Sequence, residues 1–194
     1  MNKGKNNKKF WNRYARFYDA EVLRFSRSAY TEMYRLMSKL LTKEMDILEL
    51  ATGTGLIAVN IAGSVRSIVA TDFSPKMIET AKRKNVPGNV HFSVEDATAL
   101  SFKDNFFDAV VISNALHIMP NPELVLENIK RVFKPNGLLI APNFSHGHLQ
   151  KSSWNLSVII LKIIGFETYS KWMPEEYIKF IEQNGFQAGK MASV

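Results

Sequence analysis

Asp46-Ile47-Leu48-Glu49-Leu50-Ala51-Thr52-Gly53-Thr54-Gly55-Leu56 is a short apolar run that breaks into a glycine-punctuated turn. Ile47 to Leu50 are too few for a buried helix and aliphatic enough for a central parallel strand. Gly53 and Gly55 carry no Cβ, so the backbone can turn sharply there and approach a ligand closely. Ala58, Val59, Ile61 and Ala62 then supply the apolar face of a helix, and the stretch reads strand, tight loop, helix. Such a turn serves two kinds of ligand. A pyrophosphate in a dinucleotide-binding fold calls for G-x-G-x-x-G, with Ala58 here in the third position, and an acidic residue about 20 positions later. Glu49 argues against that ligand, because a carboxylate just ahead of the turn repels phosphate and suits a cationic or hydroxyl-bearing molecule.

Working outward, Ser67 to Asp72 is a second short apolar strand that ends in a carboxylate. One crossover helix separates it from the glycine turn, so Asp72 arrives beside the loop at the carboxyl edge of the neighbouring strand. A carboxylate there accepts both hydroxyls of a ribose and disfavours a phosphate on it. Ser74 caps the next helix, with Pro75 in its first turn and Met77, Ile78 and Ala81 on its inner face. Val90 to Val94 is the third strand, followed by Glu95-Asp96-Ala97, and Phe106 to Asn114 is the fourth, running into Ala115-Leu116-His117. Pro122 opens an amphipathic helix through Val132. Phe133 to Ala141 reads as a turn and fifth strand, with Asn136 at a position that tolerates left-handed backbone. Strands alternating with helices predict an α/β fold: a Rossmann-like, doubly wound, mainly parallel sheet with helices on both faces.

The flanking segments read differently. Residues 1–9 hold Lys3, Lys5, Lys8 and Lys9 among Asn and Gly and are expected to be a disordered basic tail, leaving 10–194 as a single domain. Within it, 10–42 is expected to form a helical cap, with Phe10, Trp11, Tyr14, Phe17 and Tyr18 recurring at helical spacing. Trp154 to Phe166 is apolar nearly all round, so 143–172 is read as a lid over a hydrophobic acceptor. A last helix begins at Pro174 and stops at Asn184-Gly185, and Met191 to Val194 at the end suffice only to begin a sixth strand, so a final antiparallel strand is expected to be missing. The open sheet edge would then be a surface for a homodimer.

Composition narrows the function classes. The chain has 194 residues, 46% of them hydrophobic, enough for one domain with a good core. It has no cysteine, which excludes a disulfide framework, a thiolate metal site and a cysteine nucleophile and fits the cytoplasm. No apolar run reaches the roughly 18 residues of a membrane span. The net charge of +7 is concentrated in the tail, which weakens a nucleic-acid reading and leaves weak peripheral contact with an anionic membrane. His146-x-His148 lacks a nearby third ligand, and no metal is expected.

Taken together, Glu49-x-Ala51-x-Gly53-x-Gly55, Asp72, Asp96-Ala97, Phe107-Asp108 and Lys134-Pro135-Asn136-Gly137 resemble the ordered motifs of class I S-adenosylmethionine-dependent methyltransferases. The likeness runs from about Tyr18 to Phe186 and is greatest to the methyltransferase-11 type of the ubiquinone/menaquinone and small-molecule branch. Ala51 departs from the usual first glycine. The resemblance implies S-adenosyl-L-methionine as cofactor and S-adenosyl-L-homocysteine as product. Glu49, Ala51, Gly53 and Gly55 would surround the methionine end, Asp72 the ribose, and Asp96 with Ala97 the adenine, flanked by Phe73 and Met77. It also implies that Asn114 lies where the methyl is transferred and that Tyr18 sits in a helix closing over the cofactor. His117 is the candidate general base, since it follows the fourth strand and histidine is the side chain type whose ordinary pKa lies near neutrality. The acceptor is expected to be small and hydrophobic or aromatic/lipid-like, reached by in-line displacement. Two alternatives stay open: a catalytically silent cofactor-binding partner subunit, and a nicotinamide-dependent oxidoreductase, which Glu49 disfavours.

Overall fold

A computed structural model describes residues 5–143 and 167–189. Five strands, β1 (Asp46–Leu50), β2 (Ser67–Asp72), β3 (Val90–Val94), β4 (Phe107–Ile112) and β5 (Phe133–Ile140), form one sheet in the order β3-β2-β1-β4-β5. Each pairing is parallel, Leu48 lying opposite Val69 on one side and Val110 on the other. The order reverses at β1, and a reversal of that kind opens a crevice beyond the carboxyl ends of the strands.

Helices cover both faces, which is why β1 and β4 are apolar almost throughout. Ile47, Ala109 and Val111 point to one layer, where α2 (Arg27–Ser38), α3 (Leu56–Ile61) and α4 (Pro75–Lys82) contribute Tyr30, Met33, Ile57, Ile61 and Ile78. Leu48, Leu50, Val110 and Ile112 point to the other, against Leu126, Ile129 and Val132 of α5 (Pro122–Val132). Partly buried Tyr177, Phe180 and Ile181 of α6 (Pro174–Gln183) pack on that second layer.

Local chemistry sets the element ends. Ser74 caps α4 by accepting from the Met77 amide at 3.2 Å, with Pro75 following. Between β4 and β5 the register jumps, so that Phe107 faces Phe133 but Ala109 faces Leu138. The intervening Lys134-Pro135-Asn136-Gly137 bows out, with Asn136 at φ 64.

The amino-terminal end differs from the sequence expectation. α1 runs from Lys5 to Phe25, so the helix begins inside the segment read as a disordered tail. The reason is tertiary: Asn7 is buried and its side chain is bonded to two distant stretches of chain. Residues 144–166, with His146, His148 and most of the expected lid, lie outside the described residues, as do 190–194, where a sixth strand was expected to begin. No helix among the described residues is long and apolar enough to cross a membrane.

Candidate cofactor and acceptor site

The turn after β1 uses left-handed backbone three times, at Ala51 (φ 52), Gly53 (φ 57) and Gly55 (φ 77). The Thr52 amide bonds to the Thr71 carbonyl at 2.9 Å and the Gly55 amide to the Thr52 carbonyl at 2.9 Å. This winding aims the Gly53 amide at Asp72, whose Oδ2 accepts it at 2.9 Å while Oδ1 accepts the Ser74 amide at 2.8 Å. Asp72 is thus held rigidly at the carboxyl end of β2. Burial raises its carboxyl to about 6, against the pull of those two amides and of the Lys8 charge.

Above Asp72 lies a cavity of about 480 Å³. Nine of the eleven residues expected around the cofactor line it: Tyr18, Ala51, Gly53, Asp72, Phe73, Met77, Asp96, Ala97 and Asn114. Thr98 donates from both its amide and its hydroxyl to Asp96 Oδ1, at 2.9 and 2.7 Å, which fixes that carboxylate at the far wall. Asn114 adopts φ 51, and its amide reaches the Pro142 carbonyl at 2.9 Å, turning the chain at the end of β4.

Glu49 and Gly55 lie behind the wall. Glu49 shares the Ile47 face of β1 and is 1% exposed, and its Oε2 has no hydrogen-bond partner. Burial pushes this carboxyl up to about 8, against the nearby Thr52 hydroxyl and Ala58 amide. A Cβ on Gly55 would come within 2.5 Å of the Phe92 ring, so this glycine lets α3 pack close to β3. Strand alternation was the signal that could have placed Glu49, since i and i+2 share a face.

His117 is likewise absent from the cavity wall. It sits in a 3-10 turn at Leu116–Ile118, and its backbone carbonyl accepts the amides of Tyr169 and Ser170 at 2.9 and 3.1 Å. Its neighbour Ile118, with Met119 and Pro120, forms the wall at that end.

Helix α1 roofs the cavity and brings residues that sequence reasoning missed. Asn7, Lys8 and Trp11 line it together with Tyr18, whose ring lies 3.8 Å from where a Gly53 Cβ would be. Three polar latches hold the roof. The Asn7 amide group donates to the carbonyls of Ile118 (3.1 Å) and Glu167 (3.0 Å) and accepts from the Glu167 amide. Asn12 accepts from the Ser74 hydroxyl at 2.7 Å, and Asp19 accepts from Thr54 and pairs with Lys84. The Tyr18 and Tyr30 hydroxyls lie 3.2 Å apart, and burial drives the pKa of both upward.

The wall thus offers carboxylates and small apolar surfaces, with a buried carboxyl in reserve behind the turn. That set fits an adenosine joined to a cationic amino-acid end, because Asp72 can accept ribose hydroxyls and Phe73, Met77 and Ala97 can face a base. It fits a pyrophosphate poorly. Among the described residues no group of three or more His, Asp or Glu side chains is placed to hold a metal.

Comparison with known proteins agrees with this geometry. A family model described as a methyltransferase domain matches residues 48–141. The demethylmenaquinone methyltransferase of Renibacterium salmoninarum is 41% identical over 100 residues, 52% of this chain and 41% of that protein. That of Clavibacter sepedonicus is 34% identical over 139 residues, 71% of this chain and 53% of that protein. The ubiquinone/menaquinone biosynthesis C-methyltransferase UbiE of Geotalea daltonii is 31% identical over 156 residues, 73% of this chain and 66% of that protein. The chain therefore spans about half the length of the curated relatives it matches. Among solved structures, a methyltransferase bound to the Trm112 methyltransferase activator of Haloferax volcanii superposes with a TM-score of 0.76 at 21% identity, over 93% of this chain and 77% of that one. The structure of DhpI in complex with SAH gives 0.70 at 20% identity, over 93% and 86%. Motif order, sheet topology and these relatives converge, and the chain belongs to the class I S-adenosylmethionine-dependent methyltransferases.

Proposed function

We propose that this protein transfers a methyl group from S-adenosylmethionine to a ring atom of a small, apolar, quinone-like acceptor. The observation that carries the reading is Asp72, pinned by the amides of Gly53 and Ser74 at the floor of the cavity with both oxygens directed by backbone. When bound, S-adenosylmethionine supplies a methyl on a sulfonium, with S-adenosylhomocysteine as the thioether product. Asp72 binds the ribose hydroxyls, and Asp96 with Phe73, Met77 and Ala97 receives the adenine. Ala51 and Gly53 bring bare backbone to the amino-acid end, with Glu49 and Gly55 shaping the turn from behind. Asn114 borders the reacting end, and Tyr18 closes it from above. Rate acceleration comes mainly from holding the acceptor in line within a site shielded from water. The apolar Ile118 and Met119 favour a hydrophobic acceptor, as does the likeness to relatives named for demethylmenaquinone and ubiquinone/menaquinone methylation.

His117 acts here through the loop it anchors, with its carbonyl holding residues 169 and 170 beside the acceptor end. An acceptor that ionises on its own needs no base from that position.

Calorimetry with S-adenosylhomocysteine tests the cofactor half. Asp72→Asn should weaken binding by roughly 10- to 100-fold, the loss of a charge-assisted hydrogen-bond acceptor. Wild-type affinity should fall as the pH drops through about 6, where Asp72 takes up a proton and loses an acceptor oxygen. Absence of binding would sink the reading. Methyl transfer to a demethylated quinone, a phenol and an amine, followed by mass spectrometry, tests the acceptor half. Binding without turnover on any of them would leave a silent cofactor-binding subunit.

A further inference from the structure

The outer face of α1 takes no part in the site, yet it has a marked character. Phe17, Leu23 and Phe25 are 52%, 55% and 74% exposed. At helical spacing, Arg13, Arg16, Phe17, Leu23 and Arg24 fall within an arc of roughly 120°, opposite the aromatic face that roofs the cavity, while Phe25, the last residue of the helix, falls roughly 80° outside it. Arg16 lies over the Phe17 ring at 4.7 Å and Arg24 over the Phe25 ring at 5.3 Å, so each exposed ring carries a guanidinium beside it. Among the described residues none of the seven ion pairs involves these arginines. Two acids flank the stripe, Glu21 on one side and Asp19, which pairs with Lys84, on the other.

Exposed apolar side chains bordered by unneutralised arginines on one helical face suit an interface that is negative at its surface and greasy just beneath. A protein partner would have to match three arginines with acids and bury the rings together. Nucleic acid would use the arginines and leave Phe17 and Leu23 in water. We propose that the outer face of α1 docks on an anionic lipid bilayer, with Phe17 and Leu23 entering the headgroup boundary and the arginines on lipid phosphates. A helix is about 10 Å across, so docking would hold the cavity about one helix diameter from the lipid in which an apolar acceptor dissolves. The docking itself does not depend on the methyl-transfer reading, while its purpose rests on it.

Co-sedimentation of the full chain with vesicles tests the proposal without cofactor or acceptor, so its failure leaves methyl transfer untouched. Partition onto phosphatidylglycerol-containing vesicles should exceed that onto phosphatidylcholine alone by about tenfold or more and fall with salt. R13Q/R16Q/R24Q should lower it roughly 100-fold, about fivefold for each charge near the surface. F17S/L23S should lower it by about tenfold or more while keeping a salt dependence. None of the five side chains lines the cavity, so melting temperature and S-adenosylhomocysteine affinity should stay unchanged and report folding. Equal partition onto both lipids, or partition that neither variant alters, would overturn the proposal. A lipid-free dimer abolished by F17S/L23S would also overturn it and give the face to a second copy of the chain.

Discussion

Ala51 is the residue at which sequence and conformation disagree most openly. Its φ of 52 is left-handed, a region that costs a residue with a Cβ roughly 1 kcal/mol. Ala51→Gly removes that strain but gives the unfolded chain more freedom, so a net gain of about 0.5 kcal/mol is expected. A rise in melting temperature of roughly 1–2 °C would register it, and a fall would show that the methyl packs usefully at the cavity wall. At this scale much of the site was legible. Asp72 closes β2 and Asp96 lies two residues past the end of β3, and a short pattern announces both. Glu49 was legible as to its charge but not its direction, because a motif read as a string hides which face of the strand a side chain takes. Gly55 was read for its freedom of backbone, whereas the Phe92 ring that forbids a Cβ there comes from a strand more than thirty residues away.

Among the elements, the strands and the helices that cover them follow from apolar periodicity, which is why the sheet could be read in advance. Helix α1 could not, at least at its beginning. Asn7 lies in a run of Lys and Asn that reads as solvated, and only the return of the chain at Ile118 and Glu167 gives it partners. The same tertiary contact brings Lys8 and Trp11 to the cavity, so no local pattern marks them as wall residues. Asn7→Ala removes both donated bonds and leaves two carbonyls and an amide to seek water. A loss of about 1–3 kcal/mol is expected, read as a lower melting temperature, together with weaker S-adenosylhomocysteine binding as the roof loosens. Unchanged affinity would show that α1 contributes little to holding the ligand.

For the molecule as a whole, burial of Glu49 couples stability to pH. Its carboxyl titrates near 8 in the folded state against an ordinary value of 4.5, so the folded protein holds a proton that the unfolded chain has released. The stabilisation is complete below about 4.5 and is lost as the pH rises to about 8, at up to roughly 1.4 kcal/mol per pH unit. Glu49→Gln removes this slope, so the variant should gain on wild type between pH 5 and pH 8 in paired thermal melts. Parallel pH profiles for the two proteins would dispose of the argument.

Ser26 alone separates α1 from α2, and its backbone, at φ −133 and ψ 14, leaves the helical region for a single residue. A break that short is a hinge. If α1 swings about it, the Asn7 latch lies farthest from the pivot and moves most, Asn12 less, and Asp19 least. The roof should then peel from its free end, and departure of a bound nucleoside should follow that order. Amide hydrogen exchange would show it as protection rising along α1 from residue 7 toward residue 19, with bound S-adenosylhomocysteine slowing exchange most at the amino-terminal turn.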